Sequence, residues 1–203
     1  MSSVFSFFDE FDKKGQLCGG ALIGPSIFLT AAHCVIKDGK MANSVRITVG
    51  DYRLEESDAD EEQQIVGLDS ITINPEFLND LSESDDFALI TLPQPLESCT
   101  YWKARIAPLP PTLDWLPREL ELGDSGNAVF CAIRSRTYLV GILIEQIGEN
   151  SPEESASTAE QCRNFDRFVV LDLRTQLSKI TSLLPGGKVV EEIQTGQKMC
   201  GHL

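Results

Sequence analysis

Residues Cys18–Cys34 read CGGALIGPSIFLTAAHC. Two short apolar runs, ALIG and SIFLT, are bounded by Gly, Pro and Ser, the pattern of two strands parted by a turn. The second run leaves its strand through small residues and ends in His33 and Cys34. Outward from this stretch, SVRITVGDY, QQIVGLDSITIN and DFALITL repeat the signature, and NAVFCAIR, TYLVGILIEQ and RFVVLDL continue it. Regularly spaced strands of this kind predict a barrel or a sandwich. After them, LRTQLSKITSLL places Leu173, Leu177, Ile180 and Leu184 at steps of four, three and four. That spacing predicts a short helix whose apolar stripe packs on the strands.

The segments between the strands differ in character. EESDADEEQQ is a charge run that cannot be core and reads as a solvated loop. PLESCTYWKARIAPLPPTLDWLPRE is rich in proline and reads as an extended connector across a surface. GENSPEESASTAEQ is small, polar and acidic, an exposed loop, and the tail PGGKVVEEIQTGQKMCGHL follows a helix-stopping Pro-Gly-Gly and is expected to be loosely held.

A chain of 203 residues can bury a sizeable core as one large all-β domain or two small ones. Its 31 acidic against 17 basic side chains give a formal net charge of -14, which repels phosphate backbones and anionic lipid. Nucleic acid is thereby excluded as a natural partner, and no apolar run is long enough to span a bilayer. The opening MSSVFSFFDEFDKKG carries acids where a signal peptide needs an apolar stretch. Against that, Cys18, Cys34, Cys99, Cys131, Cys162 and Cys200 lack CxxC spacing and suit disulfides better than metal. The expectation that reconciles the two signals is a secreted chain whose natural N-terminus is missing or replaced.

Leu120–Cys131, LELGDSGNAVFC, raises the question of a nucleophile. A serine hydroxyl needs a base to take its proton, a third group to orient that base, and donors for the oxyanion. Of the two histidines, His202 lies in the tail and His33 is the better base for Ser125. SDDFALITL supplies the orienting carboxylate at a strand edge, where Asp85 or Asp86 could serve on chemistry alone. Singly, each residue has a plainer reading: a structural histidine, an aspartate cap, a Gly-Asp-Ser-Gly turn. The conjunction carries the catalytic one.

With these motifs in hand, the chain resembles a trypsin-like serine protease of the chymotrypsin family. The resemblance rests on CGGALIGPSIFLTAAHC, DFALITL and GDSG, which arrive in the order His, Asp, Ser. It implies a triad of His33, Asp86 and Ser125, with Asp86 chosen because it directly precedes the FALITL strand. It also implies oxyanion donors on the backbone of Gly123 and Ser125, and a Cys18–Cys34 disulfide across the histidine loop. The implied fold is all-β: two six-stranded antiparallel barrels, the second incomplete, and a short C-terminal helix. The peptidase domain would cover residues 4–186, with the first barrel at about 4–95, the second at about 96–186, and a tail at 187–203. The implied activity is that of a secreted, monomeric serine endopeptidase acting on protein or peptide substrates without a cofactor. In many members the loop after VRITVGDY binds calcium, and Asp51, Glu56, Glu61 and Glu62 offer oxygen ligands here, although the same acids read as a solvated loop.

The chain also departs from the family pattern. Only 39 residues separate Asp86 from Ser125, less than half the family's usual interval, so strands that wall the substrate pocket are missing. No Ile-Val-Gly-Gly-like segment precedes Cys18 to supply the amino group that pairs with Asp124. Glu119 stands where the pocket-floor residue is expected and would favour a basic side chain in the substrate. Glu121 replaces a cysteine, Ile144 to Gln146 replace a Ser-Trp-Gly strand, and Asn127 and Ala128 replace Gly-Pro. Cys99, Cys131, Cys162 and Cys200 leave three pairings open. The alternative is therefore a protease-like binding or regulatory protein without turnover, or an incomplete isoform without activity.

Overall fold

An isolated run of aliphatic and β-branched residues is not stable in water: its backbone groups need a partner strand, and its side chains need a core. The computed structural model of the protein describes residues 18–37, 40–41, 43–49, 62–95, 106–109, 126–133, 136–147 and 167–184. In it the apolar runs become strands β1 (Ala21–Gly24), β2 (Ile27–Thr30), β3 (Ile36–Lys37), β4 (Lys40–Met41), β5 (Ser44–Val49) and β6 (Glu62–Gly67). They continue as β7 (Ile71–Ile73), β8 (Ala88–Thr91), β9 (Ala128–Ile133), β10 (Arg136–Ile147) and β11 (Arg167–Asp172). Among the described residues two α-helices accompany them, α1 (Pro75–Asp80) and α2 (Leu173–Leu183).

Every pairing among the described strands is antiparallel. One sheet runs β1-β2-β8-β7, a second runs β11-β10-β9, and β3-β4 and β5-β6 form two-stranded ribbons. The all-β architecture with a short C-terminal helix agrees with the expectation from sequence; no sheet closes on itself among the described residues. QQIVGLDSITIN, expected as one strand, is divided by a 3-10 turn at Leu68–Ser70 into β6 and β7, which belong to different sheets. The segment after it forms α1, which the strand pattern did not anticipate: Pro75 opens the helix and the Asn74 side chain accepts from the Glu76 N–H at 3.3 Å.

The four-stranded sheet is buried on both faces, and the period of two along each strand decides which core a residue joins. Leu22, Phe28, Ala88 and Ile90 enter one core with Val35, Val45, Ile47, Val66 and Phe77. Ala21, Ile23, Leu29, Phe87 and Leu89 enter the other, which they share with Ala128, Leu139, Ile142 and Ile144 of the second sheet. Ile106–Leu109 lies across this second core, its Ala107 N–H donating to Leu22 O at 2.8 Å and its Pro108 O accepting from Leu139 N–H at 2.9 Å. Helix α2 closes the same core with Leu173, Ile180 and Leu184 buried and Leu177 packed against it. Its N-cap is Asp172, which accepts the Arg174 N–H at 3.0 Å and pairs with the Arg174 guanidinium. That hydrogen bonding holds the Asp172 carboxyl below its usual range against the opposing effect of burial. No helix among the described residues is long and apolar enough to cross a membrane.

Candidate active site

Antiparallel pairing brings the histidine and the aspartate to one edge. β2 and β8 lie side by side with Thr30 opposite Ala88, so the end of one strand meets the start of the other. Three residues beyond Thr30, His33 sits in a 3-10 turn, Ala32–Val35. Two residues before Ala88 comes Asp86. Ala31 and Ala32 are fully buried, which is why only small side chains lead into the turn.

The His33 Nδ1 lies 2.7 Å from Asp86 Oδ2, and the His33 backbone N–H donates to Asp86 Oδ1 at 2.9 Å. Both carboxylate oxygens are thus engaged by one residue. The Asp86 side chain is 4% exposed and the His33 ring 31% exposed, so the carboxylate is enclosed while the imidazole reaches solvent. A carboxylate only accepts, so it fixes the ring tautomer with the proton on Nδ1 and the lone pair on Nε2. Nε2 is 3.7 Å from Cys34 Sγ. That sulfur is oxidised and has no proton to donate, so the lone pair is left for another donor.

Cys18 and Cys34 form the disulfide implied by the resemblance, with their Cα atoms 6.2 Å apart. The bridge ties the histidine turn to the residue that leads into β1. Cys18, His33 and Cys34 bring their ligand-type atoms within 4.8 Å of one another, but both sulfurs are spent in the disulfide and neither is a thiolate. Asp85, the other carboxylate that chemistry alone allowed, turns to Lys179 at 2.5 Å and to Asn74 at 3.3 Å. Lys179 lowers the Asp85 pKa chiefly by that hydrogen bond.

The second sheet reaches the same edge. Gly126 N–H donates to Leu143 O at 2.6 Å as the chain enters β9. Gly126 has φ +77°, and a Cβ there would stand 2.4 Å from Gly19 O and 2.8 Å from Thr30 Oγ1. Thr30 Oγ1 itself donates to Gly19 O at 2.8 Å. The position therefore demands glycine both for its backbone angle and for its neighbours. Asn127, which replaces a glycine of the family pattern, is buried against Gly19, and its Oδ1 has no hydrogen-bond partner among the described residues. Ala128 and Ile144 are buried, whereas Glu145 is exposed.

His33, Asp86, Cys18 and Cys34 are thus gathered into one cluster. Gly123, Asp124 and Ser125 lie outside the described residues, as do Glu119, Glu121, Asp51, Glu56, Glu61, Cys99, Cys162, Cys200 and His202. Glu62 opens β6 and its side chain is likewise outside the described set, while Cys131 is buried on β9. Sequence reasoning missed Asn74, Gln176 and Lys179, which hold the turn before Asp86. The only signal for the last two was their spacing of three on a helix, which places them on one face.

The described site is thus a histidine in a 3-10 turn paired with a buried aspartate, beside a disulfide and a glycine turn. The trypsin family model matches residues 3–110, more than half of the chain, and the chain belongs to the trypsin family. The match contains His33 and Asp86 and ends before the Gly123–Gly126 motif. Two curated relatives are similar: CLIP domain-containing serine protease B9 of Anopheles gambiae, 34% identical over 114 residues, and Serine protease 28 of Mus musculus, 34% identical over 83 residues. These alignments take in 48% and 41% of this chain and 28% of each relative. The chain therefore spans well under half the length of the relatives it matches.

Proposed function

We propose that the chain is a serine endopeptidase that cleaves peptide bonds through an acyl-enzyme. His33 Nε2 takes the proton from Ser125 Oγ as the serine attacks the carbonyl carbon, and returns it to the leaving amine. Asp86 holds the ring and stabilises the imidazolium formed during attack. The backbone N–H groups of Gly123 and Ser125 receive the tetrahedral oxyanion. Water then repeats the cycle on the acyl-enzyme, so the chemistry requires no cofactor. The peptidase domain on this reading is residues 4–186, a first barrel at about 4–95 and a shortened second one at about 96–186, followed by a loosely held tail at 187–203. The substrate is a protein or peptide, the protein acts as a monomer, and it works outside the cell, a reading that its cysteine content and family likeness support.

The observation that carries this reading is the double engagement of Asp86 by His33, through Nδ1 at 2.7 Å and the backbone N–H at 2.9 Å. Burying a carboxylate is costly unless its oxygens are satisfied, and here one histidine satisfies both. Supporting the serine's role, Gly126, one peptide bond after Ser125, is buried against Thr30, three residues from His33.

A fluorophosphonate that phosphonylates activated serines tests the reading on purified protein, with Ser125→Ala as control and a melting curve alongside. Labelling that vanishes in the variant supports turnover chemistry. A cooperative melt without labelling sinks it and leaves a protease-like binding protein, the reading that the replacements at Asn127, Ala128 and Ile144 to Gln146 favour. Absence of a cooperative melt marks an incomplete isoform.

A further inference from the structure

The turn that carries Asp86 is held from outside its own sheet. Ser84 O accepts from Gln176 Nε2 of α2 at 2.8 Å. Asp85 O accepts from Asn74 Nδ2 at 2.9 Å and from Phe87 N–H at 2.8 Å. Asp85 Oδ1 accepts from Lys179 Nζ of α2 at 2.5 Å, and the same ammonium pairs with Glu76 of α1. Phe87 O, on the far side of Asp86, accepts from the Asn74 N–H at 3.1 Å. The two residues before Asp86 and the one after it are therefore all pinned, two of them by the C-terminal helix. Gln176 is itself 6% exposed, a buried amide whose donor is aimed at a backbone carbonyl some 90 residues away in sequence. The helix offers a firm base for this, since Leu173 and Ile180 are fully buried in the core shared with Phe87 and Leu89.

We propose that Gln176 and Lys179 are positioning residues for the triad: α2 latches the Ser84–Asp85 turn so that the Asp86 carboxylate stays in register with His33. The proposal rests on the catalytic reading above for its consequence in turnover, but its geometric content concerns only the His33–Asp86 pair. An error of about an ångström in such a pair costs on the order of 100-fold in rate. The latch is expected to act on kcat, because both residues hold the turn that bears Asp86.

Among the described residues, Asp86 is the charged group in contact with the imidazole; Asp85, Lys179 and Glu76 act through the turn that bears it. A latch therefore predicts that the low-field Nδ1–H proton resonance of His33 weakens in Lys179→Met and Gln176→Met relative to the unsubstituted protein. Gln176→Met removes no charge, so weakening of the resonance there separates latching from plain electrostatics.

The experiment measures that resonance by NMR in the Ser125→Ala background, alongside kcat and KM of each variant with Ser125 intact on a peptide substrate. Expected are a fall in kcat of roughly 10-fold with little change in KM, a weakened low-field proton, and recovery of both readouts in Lys179→Arg. A low-field proton unchanged in cooperatively melting variants overturns the latch. If the chain neither labels nor turns over substrate, the catalytic reading fails alone, and the NMR arm still decides this proposal. Should Lys179→Met not fold, the exposed Glu76→Gln removes one arm of the lysine bridge, and a weakened or an unchanged resonance there supports or sinks the proposal.

Discussion

His33 grips Asp86 twice, its ring Nδ1 at 2.7 Å from one carboxylate oxygen and its backbone N–H at 2.9 Å from the other. The ring bond sets the tautomer and the backbone bond sets the distance between two loops. Replacing Asp86 by asparagine keeps the shape but substitutes a neutral amide, which no longer enforces a proton on Nδ1 or stabilises an imidazolium. Asp86→Asn should lower kcat by about 10⁴-fold in a peptidase assay while the melting temperature changes little.

The Cys18–Cys34 bridge closes a loop with a sequence separation of 16 and anchors the histidine turn. Constraint of the unfolded chain by a loop of that size is worth about 3 kcal/mol. The double variant Cys18→Ala, Cys34→Ala should lose about that much in urea unfolding. Phosphonylation of Ser125 should fall in parallel, because the turn bearing His33 loses its tether.

Gly126 has φ +77° and no room for a Cβ between Gly19 O and Thr30 Oγ1. Gly126→Ala should therefore cost about 1–3 kcal/mol, read from denaturant midpoints, and abolish fluorophosphonate labelling by displacing the start of β9. A tolerated substitution, with labelling retained, would show that this contact is slack.

The Lys179–Asp85 pair makes stability depend on pH at both extremes. Hydrogen bonding from Lys179 is the main cause that lowers Asp85 below 3.8, and hydrogen bonds to Asp85 and then Glu76 are the main causes that raise Lys179 above 10.5. A depressed carboxylate contributes fully above its unfolded value and loses its contribution as pH falls through the lower folded one. A raised ammonium contributes fully below its unfolded value and loses its contribution as pH rises through the higher folded one. The difference in unfolding midpoint between the unsubstituted protein and Lys179→Met should thus be widest between 3.8 and 10.5 and close beyond either end. A difference that stays constant down to strong acid would exclude Asp85 as the partner that matters.

Much of this molecule was legible from short-range pattern. Continuous apolar runs mark β2 and β8, because each strand has two buried faces to serve. The steps of four, three and four from Leu173 to Leu184 mark α2, because an amphipathic helix needs only one. Small residues before His33 reveal a crowded turn, and the cysteines on either side of β1 and β2 reveal their bridge through the family likeness. Local chemistry also shows that GDSG and a histidine could cooperate, but it leaves Asp85 and Asp86 equivalent, since both are carboxylates at the mouth of the same strand.

What only the tertiary structure decided is the use to which those neighbours are put. Antiparallel register of β2 with β8 turns Asp86 to His33, while α2 claims Asp85 through Lys179 and Ser84 through Gln176, 94 and 92 residues apart in sequence. No window of sequence contains both partners of such a contact. The break of QQIVGLDSITIN into two strands is of the same kind: its residues favour extension throughout, and competition between β5 and β8 for partners divides it. Sequence determined the residue types and the elements they form; the packing of elements distant in the chain determined which carboxylate faces the histidine, because hydrogen-bond geometry is set by where the strands and helix meet.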